Sequence, residues 1–391
     1  MTSSNRNIER NGISVCALVP YPPNTTPSQR YRIEQWLPYL HEKGIAVELL
    51  PFVNAKMMEI LHQPVSLPKK ASHFAKAFLR RCLAIAKISR YDAVFIHRAA
   101  CIAGPAWLER LIQLFNCPII YDFDDAIFQL HTTEANRHFG WLKFPGKTAT
   151  ICVLSSHVVV GNAYLADYAR QFNPNVSIIP SSVDTEQYQA SDERKESNHR
   201  VVIGWTGSST SQTHLEWFAP VLRELIKQRE VEIRVISNRE PVLPGIPYQW
   251  QPWSAESEVE DLRPFDIGIM PMPDDEWARG KCAMKALLYM AMGIPTVCSA
   301  VGTNLEVIRH GENGFLAKTN DEWLGCLKAL IDDAALRRRL GAAGRRTVEN
   351  RYSMQHCAAQ FANVVRETVE SHKLQTEIKR WSLQKSKSSA R

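Results

Sequence analysis

Short apolar runs alternate with amphipathic segments along the first half of the chain. Runs typical of buried strands cover 13–19, 45–50, 92–97, 118–121, 157–160 and 176–179, and helical patterns cover 28–42, 70–89, 105–115 and 163–171. Strands that alternate with helices are typical of parallel sheets with helices on both faces. The pattern therefore predicts a doubly wound α/β domain.

The same alternation restarts after a polar stretch at 181–200. The second set of strands covers 201–205, 232–237, 265–270 and 295–299, and its helices cover 211–229, 254–262, 282–292, 303–309 and segments of 320–371. We predict two Rossmann-like doubly wound parallel-sheet domains that face a cleft, with the ligand at the carboxyl ends of the strands. The predicted parts are an N-terminal domain 1–185, a linker 186–199, a C-terminal domain 200–350, a helix 351–372 and a frayed basic tail 373–391.

Charge is distributed unevenly along the sequence. The 391 residues include 47 Lys/Arg and 40 Asp/Glu, a net charge of +7. Residues 1–190 hold 19 basic and 14 acidic residues, residues 191–372 hold 22 and 25, and residues 373–391 hold 6 and 1. This asymmetry predicts an anionic partner for the first half: a membrane surface, a nucleic acid or an acidic substrate. Solvated surface charge is the alternative interpretation.

One helical segment of the first half is strongly basic. Residues 69–91 contain seven Lys/Arg and no acidic residue, and their apolar side chains share one face: Phe74, Phe78, Cys82, Ile85 and Ile88. A basic amphipathic helix predicts binding to an anionic membrane surface, helped by the tail 373–391. The alternative is a core-packed helix with a solvated basic face. No nucleic-acid motif accompanies the segment, so we expect no nucleic-acid partner.

Cysteine spacing and the N-terminus indicate the compartment. The nine cysteines include no C-x-x-C pair, which favours a reducing environment over a disulfide framework. The apolar run at 13–20 lacks a cleavage site, and no run reaches the ~18 apolar residues of a membrane span. We therefore expect a cytoplasmic protein, peripheral at the inner face of the membrane.

The segment GWTGSST at 204–210 follows a strand and precedes a helix. Gly204 and Gly207 would let the backbone approach a ligand, and Ser208 begins a run of hydroxyl residues suited to capping. Amide groups at such a helix start bind phosphate. An ordinary strand-to-helix turn is the alternative.

Lys281 and Lys285 lie four residues apart at the start of a predicted helix. That spacing places both on one helix face. Because the helix dipole disfavours cations in a first turn, the pair indicates a bound anion. Two lysines that reach solvent are the alternative.

Three carboxylates, Asp122, Asp124 and Asp125, directly follow the strand at 118–121. Their mutual repulsion would raise the pKa of one of them, which could then act as a base towards an acceptor hydroxyl. Asp122-x-Asp124 also matches a metal-binding D-x-D pattern, and a helix N-cap cluster is a further alternative.

Two arginines, Arg30 and Arg32, follow the first strand near a helix start. They would meet an anionic acceptor or a donor phosphate. The alternative is that they are ordinary surface arginines.

Several separate motifs occur in the order of one family. They are VVVGNAYLADYA at 158–169, SIIPSSVD at 177–184, YMAMGIP at 289–295, Val301-Gly302 with Glu306, and GENGFL at 311–316. Together they resemble family 4 glycosyltransferases, which have the GT-B fold. Lys281, Lys285 and the residues after them resemble the subgroup with the pattern GKxxxKxLxYMAxGxP.

The resemblance implies an enzyme of EC 2.4, a hexosyl or related transferase. It would move a sugar, with retention and without metal or cofactor, from a nucleotide-sugar donor to a glycan or lipid-linked acceptor in cell-surface polysaccharide or glycolipid biosynthesis. It also implies that helix 351–372 crosses back to the first domain. The implied donor and diphosphate residues are Gly204, Thr206, Gly207, Ser208, Arg279, Gly280, Lys281, Lys285, Gly302, Thr303 and Glu306. Asp122, Asp124 and Asp125 are the implied catalytic candidates, with Arg30, Arg32 and Asn162 on the acceptor side.

The chain departs from the family pattern at the donor site. Gly280 and Leu288 occupy the positions of the two usual glutamates, and the loop 208–214 lacks the usual Arg and Lys. Lys281 and Lys285 would supply the positive charge instead. The missing glutamates leave open a non-catalytic GT-B-like binding or partner protein. The D-x-D pattern leaves open a metal-dependent transferase that uses Asp122-x-Asp124, and a nucleotide-sugar epimerase, which shares the fold, is a minor third alternative.

Overall fold

The computed structural model describes residues 12–62, 67–129, 144–190 and 200–389. The chain forms two compact units. The first consists of Met1–Ile179 with Ala358–Arg391, and the second of Pro180–Cys357. Residues 191–199 of the predicted linker lie outside the described residues.

Each unit contains one parallel sheet of six strands. The first sheet consists of β1 (Ile13–Val19), β2 (Ile45–Pro51), β3 (Ala93–His97), β4 (Ile119–Phe123), β5 (His157–Val160) and β6 (Val176–Ile178), in the order β2-β1-β3-β4-β5-β6. The second consists of β7 (Val201–Gly207), β8 (Val231–Ser237), β9 (Gln249–Pro252), β10 (Ile267–Met270), β11 (Thr296–Ser299) and β12 (Phe315–Ala317), in the order β12-β11-β10-β7-β8-β9. The two doubly wound sheets agree with the predicted fold class.

Helices connect the strands of both sheets. They are α1 (Pro27–Arg32), α2 (Leu37–Glu42), α3 (Ala55–His62), α4 (Leu67–Ile85), α5 (Trp107–Gln113), α6 (Lys147–Leu154), α7 (Ala163–Arg170), α8 (Gln212–Gln228), α9 (Glu258–Leu262), α10 (Glu276–Arg279), α11 (Met284–Ala291), α12 (Asn304–Val307), α13 (Asn320–Asp332), α14 (Ala334–Arg351) and α15 (Met354–Ser389). Among the described residues, no helix is long and apolar enough to cross a membrane.

The core of the first unit includes side chains from the last helix. The ring of Phe361 on α15 lies 5.3 Å from Trp36 and 5.2 Å from Phe95, measured between ring centroids. Such aromatic pairs contribute about 0.5–1.5 kcal/mol beyond the burial of their area. These contacts make the first part of α15 an integral part of the first unit.

The second unit has its own core between β7, β8 and the flanking helices. Trp205, Phe218 and Trp323 are almost completely buried in it. The rings of Phe218 and Trp323 lie edge to face, with centroids 4.5 Å apart. Each unit therefore buries the apolar face of its own sheet.

Two predicted helices end differently in the structure. The segment 28–42 is broken, because α1 ends at Arg32 and α2 begins at Leu37, with a short 3₁₀ turn at Glu34–Trp36 between them. Pro38 lacks an amide hydrogen and therefore starts a helix instead of continuing one. The expectation of a frayed tail is wrong as far as Ser389, where α15 ends.

The apolar face predicted in the segment 69–91 packs inside the first unit. The ring of Phe74 lies 5.5 Å from that of Phe52, and Ile85 and Ile88 are fully buried. The core-packed interpretation is therefore correct for this face. Arg81, one of the basic residues of the segment, is also buried and donates to the carbonyl of Val19 at 3.0 Å.

Candidate functional site

The strand order places three loops of the second unit side by side. From β7 the chain runs outward through β8 to β9 and then crosses back to β10 on the other side of β7, so the strand order reverses between β7 and β10. The carboxyl ends of β7, β10 and β11 are neighbours, and the loops that follow them begin at Ser208, Pro271 and Ala300. Doubly wound sheets bind ligands in the crevice at such a reversal point. We call this region the donor edge.

Lys285 lies across the end of β7 at the donor edge. Its Nζ is 5.4 Å from the centroid of the Trp205 ring, and a Cβ on Gly207 would lie only 2.7 Å from its Cε. The absence of a side chain at Gly207 therefore leaves the room that Lys285 occupies. Lys285 is also in the first turn of α11, and the amide groups of a helix start are suited to binding an anion.

Lys281 precedes the helix and does not share a helical face with Lys285. Helix α11 begins only at Met284, after Ala283, whose φ of 54° is left-handed. The predicted four-residue helical spacing is therefore wrong. Lys281 Nζ lies 4.7 Å from the centroid of the Trp277 ring, and the carbonyl of Lys281 accepts a hydrogen bond of 2.6 Å from the hydroxyl of Thr303. That bond ties the loop before α11 to the loop after β11.

Gly204 and Thr206 serve the packing of β7 rather than the approach of a ligand. A Cβ on Gly204 would lie 1.9 Å from the buried ring of Phe265, so the expected close approach is to that ring. The amide of Thr206 donates to the hydroxyl of Tyr289 at 2.8 Å. Both positions are therefore occupied by protein contacts.

The loop after β7 is held by its own polar groups. The hydroxyls of Ser208 and Thr210 are 2.7 Å apart, and Ser211 Oγ donates to the carbonyl of Ser208 at 3.0 Å. The amide of Ser209 donates to Asn238 Oδ1 at 2.7 Å. These hydrogen bonds define the shape of the loop.

The remaining predicted donor residues lie on the loops around α10 and α12. Gly302 has a φ of 52°, and a Cβ there would lie 2.9 Å from the Cα of Arg279. Arg279 Nε donates to Asp274 at 2.8 Å. Thr303 is buried while Glu306 is exposed, and Gly280 is buried where the α10 segment ends. The close backbone contact brings the loop of Gly302 against the loop of Gly280.

In the first unit, Asp122 forms a buried ion pair at the end of β4. Arg32 Nε donates to Asp122 Oδ1 at 3.1 Å, and Arg32 also donates to the carbonyl of Ile179. His97 Nδ1 lies 2.7 Å from Asp122 Oδ2. Because Asp122 and Arg32 are fully buried, neither side chain is placed to touch a substrate directly.

Asp124 and Asp125 share Arg98 as their partner. Arg98 donates to Asp124 Oδ1 at 2.8 Å through Nη2, and the same nitrogen reaches Asp125. Burial opposes the ionisation of Asp124, but the charge of Arg98, with smaller contributions from His97 and Arg32, holds the pKa of Asp124 well below its usual range. The expectation of a raised pKa from carboxylate repulsion is wrong for Asp124, since cations surround it.

The other acceptor-side predictions have structural roles. Asn162 is buried and caps α7, where its side chain accepts from the amide of Leu165 at 2.9 Å. The guanidinium of Arg30 lies over the ring of Tyr31 at 4.6 Å. Neither contact identifies a ligand.

Sequence reasoning missed the groups that link the carboxylates together. Ser28 Oγ lies 3.0 Å from His97 Nε2, and His97 in turn contacts Asp122. Arg98, which pairs with Asp124, has a left-handed φ of 61°. A polar residue that ends a buried strand, as His97 ends β3, is the signal that would have found them. We call Ser28, His97, Asp122, Asp124 and Arg98 the first-unit polar network.

The carboxylates do not form a metal site in the described residues. No group of three or more His, Cys, Asp or Glu side chains in that part of the chain is placed to hold a metal ion. Asp122 is paired with Arg32 and Asp124 with Arg98, so each carboxylate of the D-x-D pattern already has a cation.

Comparison with known proteins agrees with this architecture. Residues 200–333 match the model of a family described as glycosyl transferases group 1. A comparison with curated proteins finds no match. The family match covers most of the second unit and includes the whole donor edge.

Solved structures share the fold over nearly the whole chain. Sucrose-phosphate synthase from Thermosynechococcus elongatus aligns with a TM-score of 0.68 and 14% identity over 92% of this chain and 100% of that chain. A glycosyltransferase from Rickettsia africae aligns with a TM-score of 0.64 and 13% identity, over 92% of this chain and 99% of that chain. Anabaena HepE in complex with UDP-glucose aligns with a TM-score of 0.61 and 14% identity, over 92% of this chain and 100% of that chain. The chain has the GT-B fold. Together with the family match, this fold supports the assignment of the chain to the glycosyltransferase class of enzymes.

Proposed function

We propose that the protein transfers a sugar from a nucleotide-sugar donor bound at the donor edge. The observation that carries this proposal is the position of Lys285 across the end of β7, in the first turn of α11. A diphosphate there would meet the Lys285 ammonium and the amide groups of the helix start. Lys281, the loop from Ser208 and the loop of Gly302 would complete the cradle.

The chemistry follows from where negative charge develops. Departure of the nucleoside diphosphate concentrates charge on its oxygens, and fixed cations and amide groups stabilise that charge without reorganisation. We propose retention of the anomeric configuration and no metal requirement, because the positive charge comes from the chain itself. The absence of glutamates at Gly280 and Leu288 means that other groups hold the hydroxyls of the donor sugar.

The acceptor is proposed to be a glycan or a lipid-linked sugar. Asp125 and its partner Arg98 are more exposed than Asp122 and Asp124, with side chains 18% and 27% exposed. Of the three predicted catalytic candidates, Asp125 is therefore best placed to contact an acceptor hydroxyl, while Asp122 positions His97. We place the reaction in cell-surface polysaccharide or glycolipid biosynthesis, at the inner face of the membrane.

The donor is testable without knowledge of the acceptor. Anabaena HepE has been solved with UDP and with UDP-glucose, which makes uridine nucleotides the first probes. Ligand that binds only the folded state raises the melting temperature by mass action. We expect at least one nucleoside diphosphate and its sugar to raise the melting temperature of the wild type, and to raise that of Lys285→Ala less.

Two results would point to the alternatives. Binding of a nucleotide sugar without any turnover would favour a non-catalytic binding protein. Activity that a chelator abolishes and that added metal restores would favour the metal-dependent reaction. In that case Asp124→Asn should be inactive, and added metal should not restore its activity.

A further inference from the structure

The last part of α15 carries an apolar face without a packing partner in the described residues. Leu374, Ile378 and Trp381 are 60%, 56% and 59% exposed. Their spacings of four and three residues place them on one face of the helix. Three large apolar side chains in a row on an open helix face are a feature of interaction surfaces.

The helix is anchored to the first unit only up to the start of this face. His372 Nε2 donates to the carbonyl of Asn116 at 2.8 Å, and Lys373 Nζ lies 3.8 Å from Asp92. After Lys373 nearly every described side chain is exposed. Because isolated helices of this length are marginal in water, a surface that covers the apolar face would stabilise the extension.

The charges of this helical segment indicate what covers its apolar face. Residues 373–391 contain six basic residues and one acidic residue, Glu377. At helical spacing Lys379 and Arg380 fall on the polar side opposite the apolar face, whereas Lys385 falls in line with Trp381, with its Nζ 3.9 Å from the centroid of that ring. An apolar face that includes a tryptophan, backed by a polar face that carries cations, is the pattern of a helix that lies on an anionic lipid surface.

A second copy of the chain fits this face less well. A parallel partner would bring the Lys385 ammonium groups of both helices together, because Lys385 lies on the line of the apolar face. The apolar repeat of Leu374, Ile378 and Trp381 also stops at Lys385, where its next position falls.

We propose that residues 374–385 are an interfacial helix that docks the protein on an anionic membrane surface. Leu374, Ile378 and Trp381 enter the headgroup region, and Lys379, Arg380 and Lys385 contact anionic headgroups. This face differs from the one predicted in 69–91, which packs in the core. The proposal does not depend on sugar transfer, so each can fail while the other stands.

The test is co-sedimentation of the full chain with vesicles of phosphatidylcholine alone or mixed with phosphatidylglycerol, at low and high salt. We expect the wild type to bind the mixed vesicles at low salt and to be released by salt. The triple variant Leu374→Ser, Ile378→Ser and Trp381→Ser should bind the vesicles at least about tenfold more weakly than the wild type. The variant Lys379→Glu, Arg380→Glu and Lys385→Glu should also lose binding.

Two control variants make the test specific. Leu114→Ser, Val153→Ser and Val242→Ser remove three exposed apolar side chains elsewhere and should bind as the wild type does. Leu79→Ser with Leu83→Ser tests the exposed side chains of α4 and should bind likewise. Circular dichroism and the melting temperature establish that every variant is folded.

Three results of the vesicle experiment would overturn the proposal. They are a wild type that ignores the anionic vesicles at low salt, a triple α15 variant that binds as well as the wild type, and binding that only the α4 variant loses. A dimer in sedimentation equilibrium without vesicles, abolished by the triple α15 variant, would show that a second copy covers the face and would overturn it as well.

Discussion

The charged residues at the strand ends differ in how far their side chains are buried. Asp122 is fully buried against Arg32, whereas the side chain of Asp125 is 18% exposed beside Arg98. At the donor edge, Lys285 is half-buried against β7. A buried pair contributes to the fold, and a partly exposed group can contact a ligand.

Replacing Lys285 by alanine should weaken the binding of a nucleoside diphosphate. A hydrogen bond to a charged group contributes about 1.5–3 kcal/mol, so affinity should fall about ten- to a hundredfold. Isothermal calorimetry with UDP measures it, and Lys285→Arg should recover part of the loss. Lys227→Ala is the matched control, because Lys227 is an exposed lysine on α8 paired with Glu224. Equal affinity in Lys285→Ala and the wild type would remove Lys285 from the site.

Asp122→Asn should destabilise the first unit strongly. The change leaves the guanidinium of Arg32 buried without its carboxylate, and breaking a buried pair costs about 3–5 kcal/mol. Asp125→Asn should cost about 1 kcal/mol or less, since Arg98 keeps Asp124 as a partner. Urea denaturation of the two variants gives the comparison. Similar losses in both would mean that Asp122 is not the structural member of the cluster.

The pair of Asp124 and Arg98 should make stability fall in acid. Asp124 has a lowered pKa in the folded protein, so its contribution is complete above the ordinary aspartate range near pH 4 and is lost as pH falls below it. The free energy of unfolding of Asp124→Asn should therefore decline less steeply below about pH 4 than that of the wild type. Urea titrations at a series of pH values measure the two slopes. Parallel curves would show that Asp124 is not ionised preferentially in the folded state.

At the scale of elements, two glycines of β7 should respond to substitution in different ways. Gly204→Ala would drive a methyl group into the ring of Phe265, and overpacking of a core costs about 1–3 kcal/mol. Gly207→Ala would meet the buried ring of Trp205 and would also displace Lys285 and Ser211 at the end of the strand. We expect both changes to lower the melting temperature, and only the second to lower affinity for UDP as well. The reverse assignment would contradict the description of β7.

The elements show how far the sequence could be followed. Strands such as β1 and β7 were predicted because they are apolar runs buried in parallel sheets. The edge strand β9 was missed because its residues are exposed and polar. Lys285 was found by its motif, but the burial of Asp122 was not, because its partner Arg32 lies ninety residues away in sequence. Long-range pairs of this kind have no local signal.

At the scale of the whole molecule, one type of fold occurs twice, with different chemistry in the two units. Both sheets are parallel and doubly wound, and the family match covers residues 200–333 of the second unit. The family match and the position of Lys285 lie in the same unit. The central claim is therefore that the donor edge of the second unit binds and cleaves a nucleotide sugar.

Release of nucleoside diphosphate from a panel of nucleotide sugars, with UDP-glucose first, tests this claim most directly. Wild type and Lys285→Ala should be compared at equal concentration, with water as the acceptor. The account predicts slow release from at least one donor by the wild type, and release roughly ten- to a hundredfold slower by Lys285→Ala. Equal release by both proteins, or no release from a donor that binds, would contradict it.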